Sequence, residues 1–126
     1  MVRRRLQMGL GAAVALALGC CLRLWFIGHA SDIAGDSLIY GDIAKNWLQH
    51  GIYGFVQGGT AAVPTLIRLP GYPLFLVVCF RMFGVEHYTA VMYVQCGMDL
   101  FTCVVVSALA GRLVGRRAAM AALGLA

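Results

Sequence analysis

The alternation of apolar and polar stretches divides the chain into membrane segments and one long polar connection. Apolar residues dominate 8–28, 71–84 and 88–110, another apolar run begins at 118–126, and residues 29–70 interrupt them. A helix needs roughly 20 apolar residues to cross a bilayer core of about 30 Å. The pattern therefore predicts an all-α, polytopic membrane protein with three transmembrane helices and the start of a fourth.

The segment 71–84 is short for a complete crossing, because its 14 residues reach only about 21 Å as a helix. If it crosses, the basic turn at 111–117 lies on the outer side, against the positive-inside rule. If it dips into the membrane and returns, that turn lies inside. The residues leave both topologies open.

The basic start of the chain predicts its orientation. Residues 3–5 are arginines that precede the first apolar segment. The positive-inside rule then places the N-terminus in the cytoplasm and residues 29–70 outside. A cleaved signal peptide is the alternative, since residues 10–19 resemble its apolar core. The apolar run continues to Ile27, which favours an uncleaved helix.

Two charged residues fall inside predicted spans. Arg23 either snorkels to the membrane interface or pairs with an acid elsewhere in the bundle. Asp99 shares a helix face with Gln95, four positions earlier. An ionisable residue in a span is a functional-site hypothesis by default. The structural alternative for Asp99 is a buried contact with Arg23 or with a polar residue of a neighbouring helix.

Inside the polar segment, apolar residues recur with helical spacing. Ile39, Ile43 and Trp47 are four positions apart, which predicts an amphipathic helix that ends near Gly51. With its aromatic residues as anchors, we expect this helix to lie flat at the membrane interface.

The residues around this helix have the chemistry of caps, loops and turns. Asp36 or Ser37 can cap its start. Residues 54–64 are rich in Gly, Thr and Ala and predict an irregular loop. Two prolines flank a glycine within 69–73, which predicts a rigid turn outside any helix.

Composition and charge agree with a membrane protein. The 126 residues are 61% hydrophobic and 12% charged, against about 25% charged in a typical soluble domain. The net charge of +5 comes from arginines at the ends of apolar runs, so we predict no nucleic-acid binding. The five cysteines lie in apolar runs without a CxxC motif, which favours buried apolar residues over a zinc site or disulfides.

With these residues in place, the chain resembles the N-terminal region of GT-C fold glycosyltransferases that use lipid-linked sugars. These enzymes are the bacterial membrane relatives of the protein O-mannosyltransferases and the lipid A aminoarabinose transferases. The resemblance covers nearly the whole chain, as the N-terminal part of such a transmembrane domain. Its motif residues are Asp36, Tyr40, Ala44, the GIYG sequence at 51–54 and the RLPGYP sequence at 68–73.

The resemblance implies a sugar donor carried on a polyprenyl phosphate or diphosphate and an acceptor on the outer side of the membrane. Asp36 takes the position of the general base or acceptor-positioning acid, Arg68 that of the basic residue that meets the donor phosphate, and Tyr40 that of a substrate-binding residue. Many members have Glu after the Asp, whereas this chain has Ser37. A divalent metal therefore lacks support, and no cofactor is predicted. The family also implies that 71–84 is a true crossing.

Each of these residues has a plainer interpretation as well. Asp36 can be a helix cap, Arg68 can anchor the next helix at lipid headgroups, and Tyr40 can be an interface anchor. The remaining charges of the polar segment are then solvated loop or helix-surface groups: Asp32, Asp42 and Lys45.

Two functional hypotheses follow. In the first, the chain is the N-terminal part of a multi-pass glycosyltransferase of the inner (plasma) membrane that transfers a hexosyl or pentosyl group. The remaining helices come from a longer chain or a partner subunit, so we expect the 126 residues alone to be inactive. In the second, the chain is a small non-enzymatic membrane protein, a transporter-like or scaffold subunit whose polar segment binds lipid or a partner.

Overall fold

The computed structural model describes residues 2–29, 33–56, 58–59 and 61–125, and Asp32 lies outside them. The described part of the chain is mostly helical, which confirms the predicted helical class. Its elements in chain order are α1 (Val2–His29), α2 (Asp36–His50), β1 (Gly54–Val56), β2 (Ala62–Pro64), α3 (Gly71–Phe83), α4 (Tyr88–Leu113) and α5 (Arg116–Leu125).

Within the residues that the structure describes, two helices are long and apolar enough to cross a membrane. They are Leu10–His29 within α1 and Tyr88–Leu113, which is α4. The most apolar stretch of the first helix has no buried residues, and only 11% of the most apolar stretch of the second helix is buried inside the protein. The core helix of a soluble domain would be mostly buried. The helix α3 has 13 residues and reaches only about 20 Å, and α5 is shorter still, so the predicted third crossing and fourth span are not shown.

The chain forms two compact units, 1–30 with 93–126, and 31–92. In the first unit, α1 contacts α5. Small residues lie where helices approach each other: an added Cβ at Gly11 would lie 3.2 Å from the Met120 side chain. The Ser107 hydroxyl donates a hydrogen bond to the Ala119 carbonyl at 2.9 Å. Close packing through small residues and hydroxyl groups is typical of helices that associate in lipid.

In the second unit, α2 packs against α3 and β1. The predicted amphipathic helix is present, and Ile43 and Ala44 on its apolar face are fully buried. Leu76 and Phe80 of α3 are among the buried residues of the same unit. Because protein contacts cover much of the apolar stripe of α2, its place at a membrane interface stays a prediction.

The two ends of α2 differ in how well they were predicted. Gly51 is the C-cap, with φ of 69°, and its N–H bonds the carbonyls of the preceding turn, as predicted. At the start, Gly35 occupies the N-cap position with φ of 58°, and no side chain caps the helix. The prediction of Asp36 or Ser37 as the cap is therefore wrong, because Asp36 is already the first helical residue.

Residues 54–64 are not an irregular loop throughout, so that prediction is also wrong. They contain an antiparallel hairpin in which Gly54 pairs with Pro64 and Val56 with Ala62. Side chains of α2 hold its first strand. The amide of Asn46 donates to the Gly54 carbonyl at 3.1 Å, and an oxygen of Asp42 accepts from the Val56 N–H at 2.7 Å.

The turn predicted for 69–73 is partly helical. Pro70 is the N-cap of α3, Gly71 is its first residue, and Pro73 lies in its first turn. The first turn of a helix needs no backbone N–H donors, so a proline is tolerated there. The Leu74 N–H already bonds the Pro70 carbonyl at 2.9 Å.

Candidate functional site

The residues singled out for chemistry come together at the start of α2. Nη2 of Arg68 donates a hydrogen bond to Oδ1 of Asp36 at 2.7 Å, across 32 positions of sequence. The Asp36 side chain is 67% exposed and that of Arg68 is 27% exposed. The carboxylate is thus open to a small molecule, whereas the guanidinium is largely covered by the protein.

Two tyrosines complete this group, which we call the Asp36 cluster: Asp36, Tyr40, Arg68 and Tyr72. The guanidinium carbon of Arg68 lies 5.5 Å from the centre of the Tyr40 ring, a cation–π distance. The Tyr72 ring meets the Tyr40 ring edge-on, with centroids 5.1 Å apart. Tyr40 lies one turn after Asp36 on the same face of α2, which places both beside Arg68.

The backbone of Arg68 is also held in place. The hydroxyl of Tyr53 donates to the Arg68 carbonyl at 2.8 Å, and the Tyr53 ring packs edge-on against Trp47 at 5.2 Å. Burial raises the pKa of the Tyr53 hydroxyl above its ordinary value. The hydroxyl therefore stays protonated, and able to donate, well above neutral pH.

The Arg68 guanidinium has donor capacity that the protein does not use. Its Nη1 bonds the Ile67 carbonyl at 3.3 Å, and its Nε is buried without a hydrogen-bond partner. A guanidinium carries five N–H donors, and a buried donor without a partner is costly. Because Nε is buried, an incoming anionic oxygen would bind the remaining N–H groups of Nη1 and Nη2, beside the exposed carboxylate.

A second ionic cluster lies in the same unit. Nζ of Lys45 bonds Oε1 of Glu86 at 2.9 Å and lies 3.4 Å from Oδ1 of Asp42. The hydrogen bond that Lys45 donates to Glu86, followed by the charge of that carboxylate, raises the pKa of Lys45. The interpretation of Asp42 as a solvated charge is wrong, because it bonds both the β1 backbone and Lys45. Asp32 received the same interpretation and lies outside the described residues.

Within the first unit, the two charges of the predicted spans form a pair. Nε of Arg23 bonds Oδ2 of Asp99 at 2.6 Å, and Nη1 of Arg23 donates to the Gly19 carbonyl at 3.2 Å. Arg23 was predicted either to snorkel to the membrane interface or to pair with an acid, and it pairs with an acid. The predicted contact between Asp99 and Arg23 is present, but it is not buried, because the Asp99 side chain is 55% exposed. All five cysteines are free.

The residues around Asp36 do not fit a metal ion. Its carboxylate already bonds a cationic guanidinium, and the next residue is Ser37 and not a second acid. Across the ranges that the structure describes, no group of three or more His, Cys, Asp or Glu side chains has the arrangement of a metal site. We therefore derive no step through a metal.

The sequence did not predict three of these contacts. They are the contact of Tyr72 with Tyr40, the hydrogen bond of Tyr53 to the Arg68 backbone and the bond between Glu86 and Lys45. Tyr72 was assigned to a rigid turn, but it lies in the first turn of α3, the helix that packs on α2. A first-turn proline at position 73 was the available signal.

The chain matches no protein-family model, no curated protein and no solved structure. The resemblance to GT-C glycosyltransferases therefore rests on the motif residues, and the geometry of those residues carries the functional argument.

Proposed function

We propose that the chain is the N-terminal part of a membrane glycosyltransferase that moves a sugar from a polyprenyl-phosphate-linked donor to an acceptor on the outer face of the membrane. One observation carries the proposal. The carboxylate of Asp36 and the guanidinium of Arg68, 32 positions apart, form a 2.7 Å ion pair beside Tyr40. These are the residues to which the resemblance assigns acid, phosphate-binding and substrate-binding roles.

Asp36 would act on the acceptor. Its carboxylate is 67% exposed, so an acceptor hydroxyl can reach the oxygen that does not bond Arg68. As the new bond forms between the acceptor oxygen and the sugar's anomeric carbon, the acceptor proton passes to Asp36. General-base catalysis of this kind contributes about 10²–10⁴-fold in rate.

Arg68 would act on the leaving group. The bond between the anomeric carbon and the phosphate oxygen breaks, and negative charge grows on the lipid phosphate. The spare guanidinium donors of Arg68 stabilise that charge, most strongly where water is scarce. The Tyr40 ring and the Tyr53 hydroxyl hold Arg68 in place, so the cation needs little reorganisation during the reaction.

The membrane arrangement is part of the proposal. The two apolar helices agree with a membrane protein. We place the N-terminus in the cytoplasm of a cell with an inner (plasma) membrane and residues 29–70 on the outer side. In this proposal α3 stays on that side with α2 and does not cross, because Lys45 of α2 bonds Glu86 just beyond the end of α3. The helix α5 would be the start of a further span. Further helices, from a longer chain or a partner subunit, would complete the cavity for the donor lipid.

The test compares two carboxylate-to-amide changes on the same helix. Asp36→Asn removes the proposed base. Asp42→Asn is the matched control, because an amide oxygen can still accept from the Val56 N–H. Both are placed in the full-length protein, and glycan products are measured in membranes with equal protein levels. We expect Asp36→Asn to lose the product and Asp42→Asn to keep it. Unchanged glycans with both variants, together with weaker recovery of a bound partner, would instead support the scaffold hypothesis.

A further inference from the structure

The segment between β2 and α3 exposes a run of large aliphatic side chains. Leu66 is 96% exposed, Leu69 is 85% exposed and Ile67 is 52% exposed. We call these three residues the apolar tip. Arg68 is the polar residue among them, and its guanidinium bonds Asp36. The exposed side chains of the tip are therefore all hydrocarbon.

Part of the polar backbone of residues 66–69 is paired within the protein. The Ile67 N–H donates to the Thr65 hydroxyl at 3.2 Å, and the Ile67 carbonyl accepts from Arg68. The Arg68 carbonyl accepts from the Tyr53 hydroxyl. Backbone groups without partners are the main cost of moving an irregular segment out of water. Here internal partners reduce that cost.

The exposed apolar surface continues into α3. That helix begins two residues after Leu69, and Leu74, Val78 and Met82 are each about half exposed or more. Their four-residue spacing places them on one face of the helix, while Leu76 and Phe80 on another face are buried. The tip and this face are thus consecutive along the chain and alike in chemistry.

We propose that the apolar tip inserts into the hydrocarbon edge of a lipid bilayer, with the exposed face of α3 against lipid beside it. Lipid is the occupant because the same chain carries two helices able to cross a membrane. The tip also lacks the exposed aromatic and arginine side chains that usually anchor protein–protein contacts. Insertion would hold the Asp36 cluster next to the lipid surface, and this statement does not depend on sugar transfer.

The experiment uses tryptophan fluorescence of the full-length protein in liposomes. Leu66→Trp adds a fluorophore at the tip, and Ala61→Trp adds one at an exposed position before β2 in the same hairpin. Each variant is compared with the parent protein in ordinary phosphatidylcholine and in phosphatidylcholine brominated along its acyl chains. Aqueous iodide reports the complementary exposure to water.

We expect brominated lipid to quench the emission added by Leu66→Trp more strongly than that added by Ala61→Trp, and iodide to show the reverse order. Leu69→Trp should behave like Leu66→Trp, which guards against a local disturbance by one substitution. Equal bromine quenching at the tip and the control would overturn the inference. So would protection of the tip from both quenchers, which would indicate a protein partner. Neither result would bear on the proposed reaction, because no activity is measured.

Discussion

Asp36 and Arg68 form a hydrogen-bonded ion pair at 2.7 Å between the first residue of α2 and the segment that leads into α3. The hairpin between these elements returns the chain to the start of α2. Arg68 is held there by three different partners: the Asp36 carboxylate, the Tyr40 ring and the Tyr53 hydroxyl. This arrangement brings Arg68 next to residues that precede it by 15 to 32 positions, and these contacts form the candidate site.

The substitution Arg68→Lys keeps the positive charge but should still impair use of the lipid-linked sugar. A lysine keeps the charge but loses the planar fork of donors that serves a carboxylate and a phosphate together. We expect a higher KM for the lipid-linked donor and a lower kcat, measured with the full-length protein at varied donor concentration. Lys45→Arg, which keeps a cation outside the Asp36 cluster, is the control and should change neither value strongly.

Gly41→Ala should destabilise the unit formed by residues 31–92. Gly41 is buried, and an added Cβ would overlap the Tyr88 hydroxyl. Overpacking of this kind costs about 1–3 kcal/mol, which thermal unfolding should report as a lower Tm. Gly59→Ala is the control, since no atom lies within 4 Å of the Cβ it would add. Equal Tm values for both variants would contradict the close contact, whereas partial recovery with Tyr88→Phe would support it.

Stability should fall at alkaline pH through Lys45. The hydrogen bond that Lys45 donates to Glu86 raises the pKa of Lys45 in the folded state, so protonated Lys45 stabilises that state. This contribution is complete below the unfolded lysine pKa of about 10.4 and is lost as the pH rises through the higher folded value. The difference in Tm between wild type and Glu86→Gln should therefore shrink as the pH is raised. A constant difference would argue against the ion pair.

The pair between Arg23 and Asp99 should matter most when one partner is missing. A charged residue at the centre of a span costs about 2.5–3.5 kcal/mol on insertion scales. Arg23→Leu leaves Asp99 without its partner, so we expect less protein in the membrane. The double change Arg23→Leu and Asp99→Leu should restore the level. Recovery is measured by membrane fractionation, and a double variant as poor as the single one would contradict the pairing.

Local patterns predicted the helices well, because a helix depends on spacing within a few turns. The stripe of Ile39, Ile43 and Trp47 and the glycine at position 51 correctly indicated α2. The hairpin was missed, because its stability comes from contacts with Asp42 and Asn46, which lie outside it. A short strand whose partners belong to another element leaves little signal in its own residues.

The site shows the same contrast between local and distant effects. Asp36, Tyr40 and Arg68 were grouped through a family resemblance, and periodicity alone would have left Asp36 as a cap. Tyr72 was missed because the two prolines around it were interpreted as a rigid turn, whereas they lie at the start of α3. Glu86 was not singled out, since nothing near it in sequence points to Lys45, 41 positions away.

The most direct measurement is sugar transfer by the purified full-length protein in lipid nanodiscs, supplied with polyprenyl-phosphate-linked sugars and candidate acceptors. Wild type should release polyprenyl phosphate and form glycosylated product. Asp36→Asn should be slower by about 10²–10⁴-fold, the usual contribution of a general base, while Asp42→Asn keeps its rate. Transfer by Asp36→Asn at the wild-type rate would contradict the role of Asp36, and absence of transfer by wild type with every donor would contradict the proposed enzyme.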